Sequence, residues 1–456
     1  MTDEVVTKDD LGKLEKRFDN LLKMTRESQK VNTIKCYGDE ILNEMVIKTD
    51  INSKIMYLYD ENLHYYDSEF ADEKVKERIT ELLDDKYSDS RIKQTTNYIK
   101  IKTGEDLRKY GHRNCICLNN GIFDLDACEL IEPDKNQFIS FRLDVDFVNP
   151  IDMEPWNNYI NGLIHQNDIL KLQECIGNIF TNHYITKKVV YLYGKPDSGK
   201  STFIKIIQNY LGKNNYSTLS LMDIEREGYH IANLYNKHAN LNSETDFKMD
   251  YKNVTAIKKL TGGDEFTARM IYREPFSFTN TAKIFLGGNG IPYISKVNED
   301  DAFFDRWEFI PFYQHFTKDD TIVDRYSTPE MKSMIFNWGI EGYTRLKKNN
   351  WVFSNAYTRS DAIKLFETSK TTKDSFYTWL MERSEVFIDI AIGTPVEDLF
   401  RDCRVWHVER GLNSYPINIT QFGIAMKGQK LIPIEDYYPM VNQKQKHEYR
   451  GIRLKK

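Results

Sequence analysis

The chain has 456 residues, of which 40% are hydrophobic and 29% charged, with 12 prolines and 23 glycines. That length suits about two to four domains, and that balance excludes collagen-like and disordered classes. Net charge is −5, from 63 basic and 68 acidic residues, so no global basic field exists and any nucleic-acid binding has to be local.

No apolar run approaches the roughly 18 residues of a membrane span. The opening MTDEVVTKDD has neither the basic nor the apolar region of a secretory signal. A soluble, intracellular (cytoplasmic) protein with no membrane partner is expected. Residues 9–24 place Leu11, Leu14, Phe18, Leu21 and Leu22 on one helical face, which reads as an amphipathic packing helix. Residues 68–95 are charge-dense with helical spacing. From about 97 to 145 short alternating runs with turn signals suggest strands. The six cysteines are scattered, against a disulfide framework. His112, Cys115, Cys117 and Cys128 lack the usual C-x2–4-C spacing of zinc sites; Cys115-Ile116-Cys117, bounded by Asn119-Asn120-Gly121, reads instead as a strand entering a turn.

Residues 151–186 return to helical spacing, 187 to about 315 alternate apolar strands with helices, and 328–385 are helical again. In the last seventy residues Val396, Leu399, Phe400 and Cys403 fall at helical intervals. A second helix covers 418–427, and strand-like pieces then run to a tail in which Lys444, Lys446, Arg450, Arg453, Lys455 and Lys456 face only Glu448. Helix, turn, helix and strands form a winged-helix pattern. The chain therefore divides into an N-terminal helical plus short-strand region (1–150), a helical connector (151–186), an α/β core (187–327), a helical segment (328–385) and a winged-helix-like domain (386–456).

Val189-Val190-Tyr191-Leu192-Tyr193 is a short apolar strand. It runs into Gly194-Lys195-Pro196-Asp197-Ser198-Gly199-Lys200-Ser201 and then, from Thr202, into a helical run. This is G-x-x-x-x-G-K-[ST] in the strand–loop–helix context of a P-loop. Glycines let successive N–H groups converge on phosphate oxygens at the positive end of the next helix. Residues 194–202 are thus the expected ATP-binding segment, with Lys200 reaching the β- and γ-phosphates and Ser201 ligating Mg²⁺. Such a loop needs an acidic partner on a neighbouring strand. Glu244 and Asp246, at the end of the semi-apolar run 237–242, are the candidates for it, or are solvated loop acids. A third strand, Lys283–Gly288, ends in Asn289, placed either to touch the γ-phosphate or attacking water at the end of a sheet strand or in an ordinary Asn-Gly turn.

Phosphate loop, acidic strand, Asn-ended strand and a following Arg306, compressed between 194 and 306, resemble superfamily 3 DNA helicases. More narrowly they are similar to the phage, plasmid and poxvirus-type primase-helicases. The run Lys258-Lys259-Leu260-Thr261-Gly262-Gly263-Asp264, followed by Ala268-Arg269, Tyr272, Phe278 and Lys283, matches a signature of that family. Stretches 118–125, 143–150 and 172–180 resemble the region preceding its ATPase, and Trp406 with 450–454 its winged-helix tail. The likeness runs from about residue 100 to the end. Residues 1–100 offer no strand-borne acidic constellation, so primer synthesis is unsupported.

The resemblance implies a multidomain α/β protein with a P-loop (AAA+-like) ATPase core, an N-terminal mostly helical α+β region and a C-terminal winged-helix domain. It implies a replicative DNA helicase of a virus, plasmid or mobile element, in a prokaryotic host or at a viral replication site. ATP and Mg²⁺ would drive it along single-stranded or forked DNA as a homo-oligomeric ring, a hexamer, with a separate primase or polymerase as a further partner. Lys200, Glu244, Asn289 and Arg306 would be catalytic, and Ser201, Glu244 and Asp246 would hold the metal. Arg306 matches the arginine finger that acts in trans on a neighbour's nucleotide, or is an arginine packing on Trp307. Between Gly263 and Lys283, Arg269, Tyr272 and Arg273 sit near the middle of a possible hairpin, mixing cations with a ring as single-stranded DNA channels do. Two other classes compete: a P-loop ATPase for DNA packaging or protein remodelling, and an origin-binding or loader protein with little turnover.

Overall fold

The computed structural model describes residues 16–17, 23, 33–107, 114–226, 228–245, 251, 254–270, 275–292, 301–312, 314–373, 375–386, 393–410, 418–428, 434–441, 444–450 and 452–455. The helix expected over 9–24 lies outside them apart from residues 16, 17 and 23, which are helical. Two compact units emerge: one comprises 1–245, 253–287 and 306–356, the other 246–252, 288–305 and 357–456.

In the first unit a helix over 33–44 (α1) leads into strands β1 (Ile47–Asp50), β2 (Met56–Asp60) and β3 (Tyr65–Asp67). Helices α2 (Ala71–Leu83) and α3 (Asp89–Lys102) follow, then the two-residue β4 (Gly104–Glu105). These strands form one sheet in the order β3-β2-β1-β4. A sheet over 47–67 departs from the helical texture expected of the first hundred residues. Its turns are closed by side chains in a polar run: Asp50 accepts from Ser53 N and Oγ at 2.8 and 2.7 Å, and Asp60 from Asn62 N and Leu63 N at 2.9 Å each. Such carboxylate-closed turns are readily missed by apolar periodicity. Helix α3 also reaches Lys102, so strand texture begins later than 97.

Strands β5 (Cys115–Leu118), β6 (Gly121–Asp124) and β7 (Glu129–Ile131) make an antiparallel meander. Cys115 and Cys117 are buried in β5, and Cys117 Sγ donates to Leu63 O at 2.8 Å. Gly121, at φ +144°, follows the Asn-Asn turn.

Helices α4 (Glu154–Leu163) and α5 (Gln166–Asn178) precede β8 (Val189–Tyr193) and α6 (Lys200–Leu211). Then come β9 (Tyr216–Ser217), α7 (Leu221–Arg226), β10 (Ala239–Asn242), α8 (Val254–Gly262), β11 (Glu265–Ala268), β12 (Phe276–Thr279) and β13 (Lys283–Gly288). Helix α9 (Asp301–Phe304) precedes β14 (Trp307–Pro311), α10 (Ile322–Arg325) and α11 (Pro329–Lys348). The central five-stranded sheet has the order β14-β8-β13-β10-β9. Strand β14 runs parallel to β8, and β10 runs parallel to both β9 and β13. Its strands are buried, as a sheet covered on both faces requires, and its core includes Leu192, Phe285 and Ile310 from the strands, Trp156, Phe203 and Phe336 from the helices, and Phe180 just past α5.

Polar β10 forms because its asparagines serve as sheet-edge partners. Asn240 is fully buried, its Oδ1 accepting from Leu219 N at 2.7 Å and its Nδ2 donating to Leu219 O at 2.9 Å. Asn242 Nδ2 donates to Thr218 O at 3.0 Å.

In the second unit, beside α9, lie α12 (Arg359–Lys373), α13 (Ser375–Arg383), β15 (Ser384–Val386), β16 (Gly393–Pro395), α14 (Val396–Glu409), α15 (Ile419–Gly428), β17 (Glu435–Tyr437), β18 (Met440–Val441), β19 (Lys444–Gln445), β20 (Glu448–Arg450) and β21 (Ile452–Leu454). The face read from spacing is buried: Val396, Leu399 and Cys403 pack with Trp379, Trp406, Phe422 and Tyr449. Trp379 Nε1 donates to Asp402 at 2.8 Å and Trp406 Nε1 to Glu382 at 2.9 Å, so both buried indoles are satisfied.

Candidate active site

Strand β8 lies between β14 on one side and β13 on the other. The chain reaches β14 only after completing the strands on the opposite side of β8. Open α/β sheets form their ligand crevice at the carboxyl end of such a strand. Residues 194–199 fill that end, and α6 starts at Lys200.

Two glycines shape the loop. Gly199 has φ +88°, and a Cβ there would come within 2.6 Å of Leu163 Cδ1. A Cβ on Gly194 would lie 2.1 Å from Phe312 O. Asp197 also adopts positive φ, and its carbonyl accepts from Phe316 N at 2.9 Å. Lys200 is only 5% exposed, yet its Nζ donates to Gly194 O, Lys195 O and Ser198 Oγ at 2.7, 2.8 and 2.9 Å. Burial pushes its pKa below the ordinary lysine value, opposed by the nearby Asp197 carboxylate. The ammonium is thus centred in the loop, with Ser201 and Thr202 in the first turn of a 12-residue helix. A central cation at a helix N-terminus supplies donors of the kind a polyphosphate uses.

Beside the loop opens a cavity of about 450 Å³, lined by Asp197, Gly199 and Thr202 from the loop and by Tyr159, Phe316 and Lys318 among others. It falls within the range of about 300–1,000 Å³ of small-molecule sites and brings rings and a cation together beside the loop. Sequence reading missed Tyr159, Phe316 and Lys318. They come from segments far from the motif, and the only signal was the aromatic-polar run His315–Asp320 that follows β14.

The acidic residues differ from expectation in two respects. Strand β10 is not a neighbour of β8, because β13 lies between them. It also ends at Asn242, two residues short of Glu244, so the carboxylate sits on the loop after the strand. Asparagines that fix β10 laterally to 218–219 end the regular strand there. Glu244 is exposed and its N donates to Asn242 Oδ1 at 2.9 Å, while Thr245 N donates to Gly287 O at 2.7 Å, tying this loop to the end of β13. Asp246 lies outside the described residues. Asn289 follows β13 directly and is exposed.

Arg306 is half-buried and immediately precedes β14. Trp307 pairs with Val189 and Pro311 with Tyr193, and Arg306 O accepts from Val189 N. Arg306 therefore stands at the amino end of β8, level with Lys188 and about 20 Å along the strand from Gly194 at ~3.3 Å per residue. Its Nε is buried without a hydrogen-bond partner among the described residues, and its Nη2 lies 3.9 Å from where a Cβ on Gly262 would be. It does not share the end of the sheet that holds Lys200.

Strands β11 and β12 pair antiparallel, from Glu265↔Thr279 to Ala268↔Phe276. Phe266, Ala268, Phe276 and Phe278 are buried, and Tyr235 packs edge-on against Phe276 and Phe278. The hairpin read from the sequence exists, and it carries an exposed Arg269 at the end of β11. Tyr272 and Arg273 lie outside the described residues.

A profile of a family of unknown function (DUF5906) matches residues 192–306, from the last two residues of β8 to Arg306. A protein of Acanthamoeba polyphaga mimivirus named "putative helicase" is 26% identical over 228 residues, covering 44% of this chain and 22% of that protein. The chain thus spans about a fifth of that relative's length. Two apo structures of the NrS-1 C-terminal region align over 91% of this chain and 98% of theirs, at 11% identity and TM-scores of 0.47 and 0.46. The chain is a mixed α/β protein with a parallel sheet, similar in sequence to a viral protein named as a helicase. Among the described residues no helix is long and apolar enough to cross a membrane.

Proposed function

We propose that this chain is an ATP-driven DNA helicase of a virus, plasmid or mobile element, built on an AAA+-like core and working on single-stranded or forked DNA as a homo-oligomeric ring, most simply a hexamer. The observation that carries the reading is the loop between β8 and α6, whose shape depends on Gly194 and Gly199 and which surrounds Lys200 with oxygen atoms. Lys200 and the N-terminus of α6 would hold the phosphates, the 450 Å³ cavity the nucleoside, and Ser201 with Glu244 and Asp246 the Mg²⁺ that offsets phosphate charge. Asn289 would orient the attacking water. The similarity to a viral protein named as a helicase favours DNA as the substrate over other loads.

The position of Arg306 supports the ring. Set at the opposite end of β14 from its own phosphate loop, it is of use to hydrolysis only at a neighbour's nucleotide, as a trans-acting arginine. The hairpin with Arg269, Tyr272 and Arg273 would line the DNA channel, and residues 386–456, with helices α14 and α15 and antiparallel strand pieces, would be a winged-helix DNA-binding domain. A separate primase or polymerase fits as a partner. The test is ATP hydrolysis by the purified chain with and without single-stranded DNA, followed by unwinding of a forked duplex. Stimulation by single strands and ATP-dependent unwinding are expected. Stimulation only by a protein partner would favour packaging or remodelling, and tight duplex binding with negligible turnover would favour an origin-binding or loader role.

A further inference from the structure

Outside the nucleotide region the first unit contains a second cavity, of about 770 Å³, open on one side. It lies where the N-terminal sheet meets edge strand β9, and Met270, just past β11, forms part of its wall. The junction beneath is fixed by buried polar contacts: Tyr235 donates to Asp50 at 2.9 Å, and Asn236 bonds the Tyr57 hydroxyl. The cavity is therefore part of a built interface.

Its chemistry is specific. Tyr65 and Tyr216 line the wall, each packed against a core cluster yet, unlike the buried Tyr57 and Tyr66, partly exposed. Arg142 stands over the Tyr65 ring with its guanidinium carbon 5.8 Å from the centroid, donates one N–H to Asn119 at 2.8 Å, and has a buried Nε with no hydrogen-bond partner among the described residues. Asn214 donates one amide N–H to Glu69 at 2.7 Å and carries a second N–H and a carbonyl oxygen, and Ser217 and Thr218 supply hydroxyls that both donate and accept. Charges balance: Arg142, Lys213 and Lys237 face Asp67, Glu69 and Asp144. A polyphosphate or a run of backbone phosphates would meet three carboxylates there. A flat, neutral ring with donors and acceptors on its edge meets stacking faces and amides instead.

We propose that this cavity takes an unpaired nucleobase, stacked on Tyr65 beside Arg142 and read on its edge by Asn214 and the Ser217–Thr218 segment. The base comes either from a single strand passing the β11–β12 hairpin or from a free nucleotide. In the strand form the inference rests on the helicase reading, since it gives the hairpin's DNA a place to lodge a base.

The experiment measures fluorescence anisotropy of labelled oligothymidylate, and of a matching strand of abasic residues, on the full chain. Tyr65→Ala is expected to weaken oligothymidylate about tenfold, to leave the abasic strand unchanged, and to be rescued by Tyr65→Phe. Should Tyr65→Ala melt at a markedly lower temperature, Tyr216→Ala, on a different element, carries the same comparison. Competition by thymidine monophosphate that Tyr65→Ala removes assigns the cavity to free nucleotides and supports base recognition. Equal loss on both strands, or no loss on either, overturns the cavity while the helicase reading stands if unwinding persists. Absence of binding to thymidine monophosphate, with oligothymidylate and the abasic strand bound equally well, overturns the base site alone, whereas absence of binding to either strand overturns the helicase reading with it.

Discussion

At Lys200 an ammonium at 5% exposure keeps three oxygen partners, all within its own loop. The loop's course is set by Gly194 and Gly199, not by the lysine. Lys200→Ala is therefore expected to fold, with an unchanged circular dichroism spectrum, and to hydrolyse no ATP in a phosphate-release assay; wild-type turnover would remove the nucleotide assignment. Glu244, exposed on the loop after β10, is expected to behave differently: Glu244→Gln binds a fluorescent ATP analogue as the parent does but shows no turnover. If Asp246→Asn is the inactive variant and Glu244→Gln is active, the acidic role belongs to the second carboxylate. His238 offers a test of stability. Buried and stacked on Phe141 at 3.4 Å between centroids, it has a pKa held down to about 3 by burial and then by the Lys283 charge. The unfolded chain takes up a proton near 6.5 that the folded chain refuses, so stability falls as pH drops from 6.5 toward 3. Near pH 5 the loss is about 2 kcal/mol, and His238→Phe should flatten that part of a urea-midpoint profile.

At the scale of elements, α5 and α11 cross backbone to backbone. A Cβ on Gly342 would sit 2.2 Å from Gln173 O, and one on Gly177 2.3 Å from Tyr343 N. Alanine would gain up to about 1 kcal/mol of helix propensity, but forcing apart two packed backbones costs about 1–3 kcal/mol or more. The clash wins, and Gly342→Ala is expected to lower the melting temperature, whereas Gly162→Ala, where no atom lies within 4 Å of the added carbon, should not. The same crossing shows what sequence can and cannot convey. The strand–loop–helix from β8 to α6 was legible because its glycines, lysine and flanking strand are contiguous. So was the buried face of α14, whose period stands in one short stretch. The separation of β10 from β8 was not, because strand order is decided by where chains cross over and leaves no mark on a strand's own residues. The polarity of β10 looked like weakness, yet Asn240 spends both ends of its amide on one neighbouring residue. The lining of the cavity beside the loop was hidden for another reason: Tyr159, Phe316 and Lys318 meet only after α4 and the segment beyond β14 are packed around the loop.

For the whole molecule, the distance between Lys200 and Arg306 is the fact with the widest consequence. The two lie at opposite ends of a pair of parallel strands, β8 and β14, so a single copy cannot bring both to one nucleotide without taking apart its central sheet. If the proposed ring is right, Arg306→Ala subunits are inactive alone but keep a sound phosphate loop, and Lys200→Ala subunits keep a sound arginine beside a disabled one. Mixed in the presence of ATP and single-stranded DNA, the two should recover part of the wild-type hydrolysis, because some interfaces then join a good pocket to a good arginine. A trans arginine is worth about a thousandfold or more in rate, so a minority of repaired interfaces stands well above background. Recovery should rise and fall with the mixing ratio and peak near equal proportions, which a contaminating ATPase would not reproduce. No recovery in assemblies shown by differential tags to contain both variants would confine Arg306 to its contacts around Gly262 and Val189, and the placement of β14 would then no longer argue for a ring.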